Sequence, residues 1–214
     1  MSIHVFFDNS NIWGGAQSVR SLVEPDVPWM ALRLYYRNLF DLIENGRDLK
    51  TAILAGSVPP SCEELWQYAR DRKYNTDLLK RVESDDGRMT EQAVDEVLHL
   101  KIANAIIDFY GLESQTLVVV TGDGKTSDFD TGFPIQIERA LKAGWEVEVW
   151  SWEQTLSRRR YETIQAASNG RMKINILDYH YLSTTFVRGG EYYEKDEMGK
   201  KIYFTIPNRI VQPL

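Results

Sequence analysis

The chain has 214 residues and a formal net charge of −6, with 43% hydrophobic and 26% charged residues. This composition excludes a disordered or collagen-like chain, and with Cys62 as its single cysteine the protein is no disulfide scaffold. No apolar stretch approaches the roughly 18 residues of a membrane span, and the acidic balance argues against a nucleic-acid partner unless the acids gather where a divalent ion inverts their field.

The chain opens on MSIHVFFDNSN, which reaches an aspartate and two asparagines too early for a signal-peptide core. The expectation is an intracellular, cytoplasmic protein with no membrane association. IHVFF is a short apolar strand with Asp8 at its C-terminal end, and residues 8–27 read as a polar loop containing glycines. Asp26 as a cap and Pro28 in the first turn predict a helix running to Gly46, with Met30, Leu34, Leu39, Phe40 and Ile43 as apolar positions. KTAILAGSV is a second strand. Ser61 and Glu64 have capping-box spacing at the start of another helix, and YNTDLLKRV is a third strand candidate.

A long helix follows over about residues 90–109, with Val94, Val97, Leu98, Ile102, Ala105, Ile106 and Phe109 as its apolar stripe. QTLVVVTG is a β-branched run of the kind found in central strands. Pro134 and Gly144 bracket a helix, WEVEVWSW alternates as a half-covered strand does, and a further helix precedes KINILDYHYL. The tail, GEYYEKDEMGKKIYFTI, reads as a hairpin turning at Glu197–Gly199. Strands alternating with helices predict an α/β fold: a three-layer, mainly parallel central sheet with helices on both faces. The main domain spans residues 1–187, and residues 188–214 form a C-terminal β-hairpin extension. That hairpin is a candidate either for covering a sheet edge or for self-association into a homo-oligomer.

Open parallel sheets place sites beyond the carboxyl ends of their strands. Asp8 ends the first strand and Asp123 ends the LVVV strand. Like charges brought together there require a raised pKa or a bound cation. Asp95 adds a third carboxylate beside the apolar stripe of the long helix, with Glu91 and His99 one turn to either side. Each acid also has a plainer reading. Asp8 and Asp123 suit a cap and a turn, Asp95 a solvated helix edge, and Asp128 and Asp130 the start of the helix at Pro134. Nucleophile schemes fare worse: Cys62 lies inside the capping box, the three histidines are scattered, and no phosphate-binding glycine motif occurs.

The order of these pieces resembles the NYN domains, relatives of the PIN-domain nucleases. It runs from a strand ending in DNSN, through a helical VD, to VVVTGD with SDF nearby, and on to RALKAGWEVEVWSW. The resemblance covers about residues 3–186. It departs where Gln92-Ala93 replace the family's frequent Lys-Gly, and where GKTS stretches the GD-x-DF spacing.

The resemblance implies a Mg²⁺- or Mn²⁺-dependent ribonuclease, in which Asp8, Asp95, Asp123 and Asp128 are the acidic positions that hold metal and carry catalysis. Asp130 is the alternative fourth acid. Asn11 matches the first motif's asparagine and would orient Asp8 or the substrate. RNA is the implied partner, and Lys125, Arg158, Arg159 and Arg160 are candidates to grip it, although the arginine run equally suits a solvated helix face. The implied reaction is phosphodiester hydrolysis by a metal-activated water. Three alternatives stand beside it. One is an inactive NYN fold that binds RNA or a protein. Another is a haloacid-dehalogenase-like phosphatase, suggested by GDGKTSD but carrying Ser10 where the second acid belongs. The third is a metal-dependent adhesion-type domain, with Ile12 in place of a serine.

Overall fold

A computed structural model of the chain describes residues 2–57, 63–76, 78–79, 82–83, 89–90, 94–112, 115–125, 131–195 and 198–214. The first half comprises β1 (Ser2–Asp8), α1 (Asn9–Val23), β2 (Leu32–Leu34), α2 (Tyr36–Glu44), β3 (Asp48–Ser57), α3 (Glu63–Asp71) and β4 (Leu78–Leu79). A small antiparallel pair follows, β5 (Val82–Glu83) with β6 (Met89–Thr90). The second half comprises α4 (Val94–Asp108), β7 (Gln115–Val120), α5 (Phe133–Lys142), β8 (Glu146–Ser151), α6 (Arg158–Ala167), β9 (Met172–Ile176), α7 (Tyr181–Thr184) and β10 (Thr185–Val187). The hairpin of β11 (Gly190–Lys195) and β12 (Lys201–Ile206) ends the fold.

Six strands form one sheet in the order β4-β3-β1-β7-β8-β9. Every neighbouring pair is parallel. Such a sheet needs cover on both faces, and the alternation along each strand supplies two cores. Val5 and Phe7 of β1, Leu54 of β3 and Val118 and Val120 of β7 face α1, α2 and α3. Phe6, Ile53, Leu117, Val119, Val147 and Val149 face α4, α5 and α6. Full burial of each such side chain contributes roughly 1.5–3 kcal/mol. β1 and β7 are buried at every position from Ile3 to Phe7 and from Gln115 to Val120, as central strands should be. Among the described residues, no helix is long and apolar enough to cross a membrane.

The chain first builds outward from β1 through β3 to β4, then returns to the other side of β1 for β7, β8 and β9. The helices change face when the direction of winding reverses, as a right-handed crossover requires. The segments leaving β1 and β7 therefore diverge, and a crevice opens between them at the carboxyl end of the sheet.

Two sequence expectations are corrected here. Residues 9–23 are helical, not a loop. Ile12, Gly15, Ala16 and Val19 make the buried face, and Gly15 is required because a Cβ there would strike the Trp152 indole. The Trp152 indole N–H also donates to the Ile12 carbonyl at 2.8 Å. A helix does not begin at Pro28; α2 begins at Tyr36. Leu32–Leu34 instead pairs antiparallel with Thr185–Val187, a partner invisible to any local pattern. Within the third strand candidate, 74–82, Asn75 makes a parallel bridge, β4 and the start of β5 follow, and residues 77, 80 and 81 lie outside the described residues. Ser61 of the capping box lies outside the described residues, as does Cys62.

The tail is bound back to the body. Tyr192 and Ile206 pack against the core beneath α1 and α2. The Arg209 guanidinium bridges Glu24 at 2.7 Å and donates to the Thr185 carbonyl at 2.8 Å. Gly199 takes φ of 79° in the hairpin turn, a conformation glycine adopts without penalty.

Gly15→Val should lower stability by about 1–3 kcal/mol through overpacking against Trp152. Urea denaturation followed by tryptophan fluorescence checks this; an unchanged midpoint would show that the α1–Trp152 contact is not tight.

Candidate functional site

The crevice is organised by DNSN on one side and TGDG on the other. Asp8 is the last residue of β1 and the N-cap of α1. Its Oδ1 accepts from the Asn11 backbone N–H at 3.0 Å, which satisfies one of the open donors at the helix start. Its Oδ2 accepts from the Thr121 hydroxyl at 3.0 Å. Phe7 pairs with Val120 across the sheet, so the next residue on each strand, Asp8 and Thr121, arrives side by side. Asp8 is only 4% exposed, and these donors together with the positive end of α1 hold its charge there.

Asn11 ties the two motifs together. Its side-chain oxygen accepts from the Gly122 N–H at 2.8 Å. Asn9 takes a separate role, accepting from the Tyr36 hydroxyl at 2.6 Å. Asn11 touches Asp8 through its backbone N–H, while its side chain bonds the TGDG loop.

The two glycines of TGDG permit close packing against the β8–α6 connection. A Cβ on Gly122 would collide with the Thr155 carbonyl and Ser151 hydroxyl, and one on Gly124 with Ser157. The Gly122 carbonyl accepts from the Ser157 N–H at 2.9 Å. The Tyr161 hydroxyl donates to the Asp123 carbonyl. Asp123 is half-buried, and its Oδ1 accepts from the Lys125 N–H at 2.9 Å.

Asp95 lies in the first turn of α4. Its relation to the other acids shows at Tyr161. Burial is the largest influence raising that hydroxyl's pKa, and the carboxylates of Asp123, Asp8 and Asp95 each raise it further. Acids from three separate elements thus act on one phenol. Among the described residues, no group of three or more His, Cys, Asp or Glu side chains lies close enough to hold a metal ion jointly. Asp128 and Asp130 lie outside the described residues.

His99 sits one turn after Asp95 and is 7% exposed. Its ring meets Phe133 edge-on at 4.6 Å, and neither ring nitrogen has a hydrogen-bond partner among the described residues. Burial lowers its pKa, against the opposing pull of Glu96 and Asp123. His4 is lowered likewise, chiefly by burial, but its nitrogens are bound to Gln115 at 2.9 Å and Thr51 at 3.0 Å.

A cleft of about 530 Å³ adjoins the TGDG loop, lined by Gly124, Ser157, Arg158, Arg159, Arg160 and Thr163. The structure separates the three arginines by partner. Arg158 is bound to Glu153 and Glu162. Arg160 lies 3.9 Å from Glu138. Arg159 is exposed and makes no ion pair among the described residues. Lys125 is also exposed, at the end of the loop.

Asp8, Asn11 and Asp123 are therefore joined by hydrogen bonds through Thr121 and Gly122, Asp95 influences the same phenol, and the arginine run borders the loop. Sequence reasoning gave no role to Thr121 or Tyr161. The first is visible only as the neighbour of Asp8 across the sheet; the second stands in an unremarkable helical stretch, RRRYETI.

No family model and no curated protein matches the chain. One solved structure, a Vibrio parahaemolyticus protein of unknown function, aligns with a TM-score of 0.53 at 11% identity, covering 82% of this chain and 91% of that one. At that identity the likeness extends to the fold alone.

Thr121→Val should cost about 1–3 kcal/mol of stability by leaving one Asp8 oxygen without its donor. Chemical denaturation measures it, and a neutral result would mean that the bond is not holding Asp8. The His99 shift carries a pH prediction. Its unfolded value is near 6.5 and its folded value is lower, so below about pH 6.5 the unfolded state binds more protons and stability falls as pH falls toward the folded value. His99→Leu should make the decline in denaturation midpoint between about pH 7.5 and 5.5 shallower; an unchanged slope would contradict a buried neutral imidazole.

Proposed function

We propose that the protein is a metal-dependent ribonuclease of the NYN type, acting in the crevice between β1 and β7. The observation that carries this reading is the hydrogen-bonded junction that ties Asp8 to Thr121 and Asn11 to Gly122, and so sets Asp8 and the Asp123 loop side by side at the carboxyl end of the sheet. An acidic cluster also serves purely structural ends, but here the His99 imidazole is buried with no hydrogen-bond partner among the described residues. A buried polar group of that kind calls for a partner such as a water or an ion.

The donor set is all oxygen, which suits Mg²⁺ or Mn²⁺. Such ions commonly use one or two carboxylates and complete their shell with water and substrate phosphate. That mode is compatible with carboxylates too far apart to grasp an ion jointly. One or two of Asp8, Asp95 and Asp123 would hold the ion directly and the rest through its water, with Asp128 as the proposed fourth acid. A bound ion supplies an activated water and offsets charge on the scissile phosphate.

The chain's own residues do the positioning. Thr121 and the Asn11 backbone hold the Asp8 carboxylate in one orientation. Asn11 and Tyr161 fix the TGDG backbone so that Asp123 keeps its place. The cleft beside Gly124 would receive the RNA backbone, and Arg159, unencumbered by a carboxylate among the described residues, would contact phosphate most directly. Arg158 is held by two glutamates and contributes less.

Purified protein incubated with labelled single-stranded and structured RNA should cleave with Mn²⁺ or Mg²⁺ and stop with EDTA. Asp123→Asn should reduce cleavage beyond the roughly 10–100-fold that loss of an outer-shell partner costs. Cleavage that survives EDTA, or that Asp123→Asn leaves intact, sinks the mechanism. RNA binding with no metal-dependent cleavage would favour a non-catalytic binding module, and rapid turnover of a small phosphomonoester would favour the phosphatase. Arg159→Ala should weaken RNA binding more than Arg158→Ala in a filter-binding titration; the reverse order would place the phosphate contact elsewhere.

A further inference from the structure

Helix α4 is apolar on two opposite sides. Leu98, Ile102, Ala105 and Ile106 point into the core beneath the sheet. Leu100 and Ile107 point the other way, 60% and 71% exposed. At about 100° per residue, Leu100 and Ile107 fall within roughly 20° of one line and about 180° from the middle of the buried face. Beyond the helix end, Tyr110 at 73% and Leu112 at 56% exposure extend the apolar surface. A helix that is apolar all round is normally buried all round. Scattered exposed leucines need no explanation, but a second stripe opposite the first does.

We propose that this outer face of α4 pairs with the same face of a second copy of the chain, antiparallel and related by a two-fold axis. An axis passing between Leu100 and Ile107 sets each Leu100 against the partner's Ile107, so the two apolar contacts form twice. It also brings the same edge of both helices together in opposite directions. Lys101 and Asp108 occupy that edge, at 100° and 80° from Leu100 by the helical repeat. Each Lys101 then lies beside the partner's Asp108. The charges that flank the stripe are complementary under this one operation, whereas a parallel two-fold pairing puts the two edges on opposite sides of the seam and brings no Lys101 to an Asp108. An isologous contact of this kind is self-limiting and closes as a dimer.

The inference stands apart from the nuclease reading, since neither Leu100 nor Ile107 belongs to the crevice. Sedimentation velocity from about 1 to 100 µM should show a monomer–dimer equilibrium, because a single helix pair falls toward the small end of interface sizes. Ile107→Glu should raise Kd by roughly 30-fold or more, as removal of a central contact does, with circular dichroism unchanged because the side chain is exposed. Leu100→Lys is an independent second disruption. Lys101→Glu and Asp108→Lys should each weaken the dimer, and the double exchange should restore it. A wild-type monomer at 100 µM, or a dimer indifferent to both apolar substitutions, overturns the proposal. Charge exchanges that do not rescue overturn the antiparallel arrangement.

Discussion

A carboxylate buried at the end of a strand has to be held, and the structure around Asp8 is arranged to do so. Taking an isolated charge out of water costs several kcal/mol even after relaxation. Here the cost is offset by three sources. The strand ends where a helix begins, which supplies the Asn11 N–H and the positive end of α1. The neighbouring strand is in register, which supplies the Thr121 hydroxyl. The first donor is local to the β1–α1 turn, and the second exists only because β1 and β7 are parallel and adjacent. A site at this junction is thus a property of the sheet order before it is a property of any motif.

The same junction explains why DNSN and TGDG matter together. Asn11 reaches across the crevice to the Gly122 N–H, and Gly122 can come that close to Thr155 and Ser151 only without a side chain. From there the β8–α6 connection holds the loop through Ser157 and Tyr161. Helix α6 therefore carries its arginines at a distance from the acidic loop fixed by backbone bonds. The positive cleft and the acidic crevice are two sides of one braced turn.

Much of this frame was legible in the sequence, and the illegible parts share a physical reason. The β-branched run of β7, the alternation in β8 and the stripe of α4 are dense local patterns, and each appears within a few residues of where periodicity puts it. Helix α1 was hidden because Gly14 and Gly15 read as loop residues, and Gly15 makes sense only once Trp152, far along the chain, is packed against it. Leu32 and Leu34 fit a helical reading as well as a strand, and what decides between them is β10. The site shows the same division. Asp8, Asn11 and Asp123 stood out by type and order, whereas Thr121, Tyr161 and the unpartnered state of His99 are products of tertiary placement. The outer residues of α4, Leu100 and Ile107, lay in plain view but outside the stripe that periodicity selects.

The link between Glu24 and Arg209 joins residues 185 apart in the chain. Arg209 also bonds Thr185, Gln212 donates to the Leu182 carbonyl at 2.9 Å, and Asn38 donates to the Ser183 carbonyl at 2.8 Å. As the polypeptide leaves the ribosome, α1 and α2 emerge long before the segment that fastens them. Until residue 187 has been made β2 lacks its partner strand, and until residue 209 has been made Glu24 lacks its guanidinium. The first half of the protein therefore reaches its final fastening only when nearly the whole chain has been synthesised.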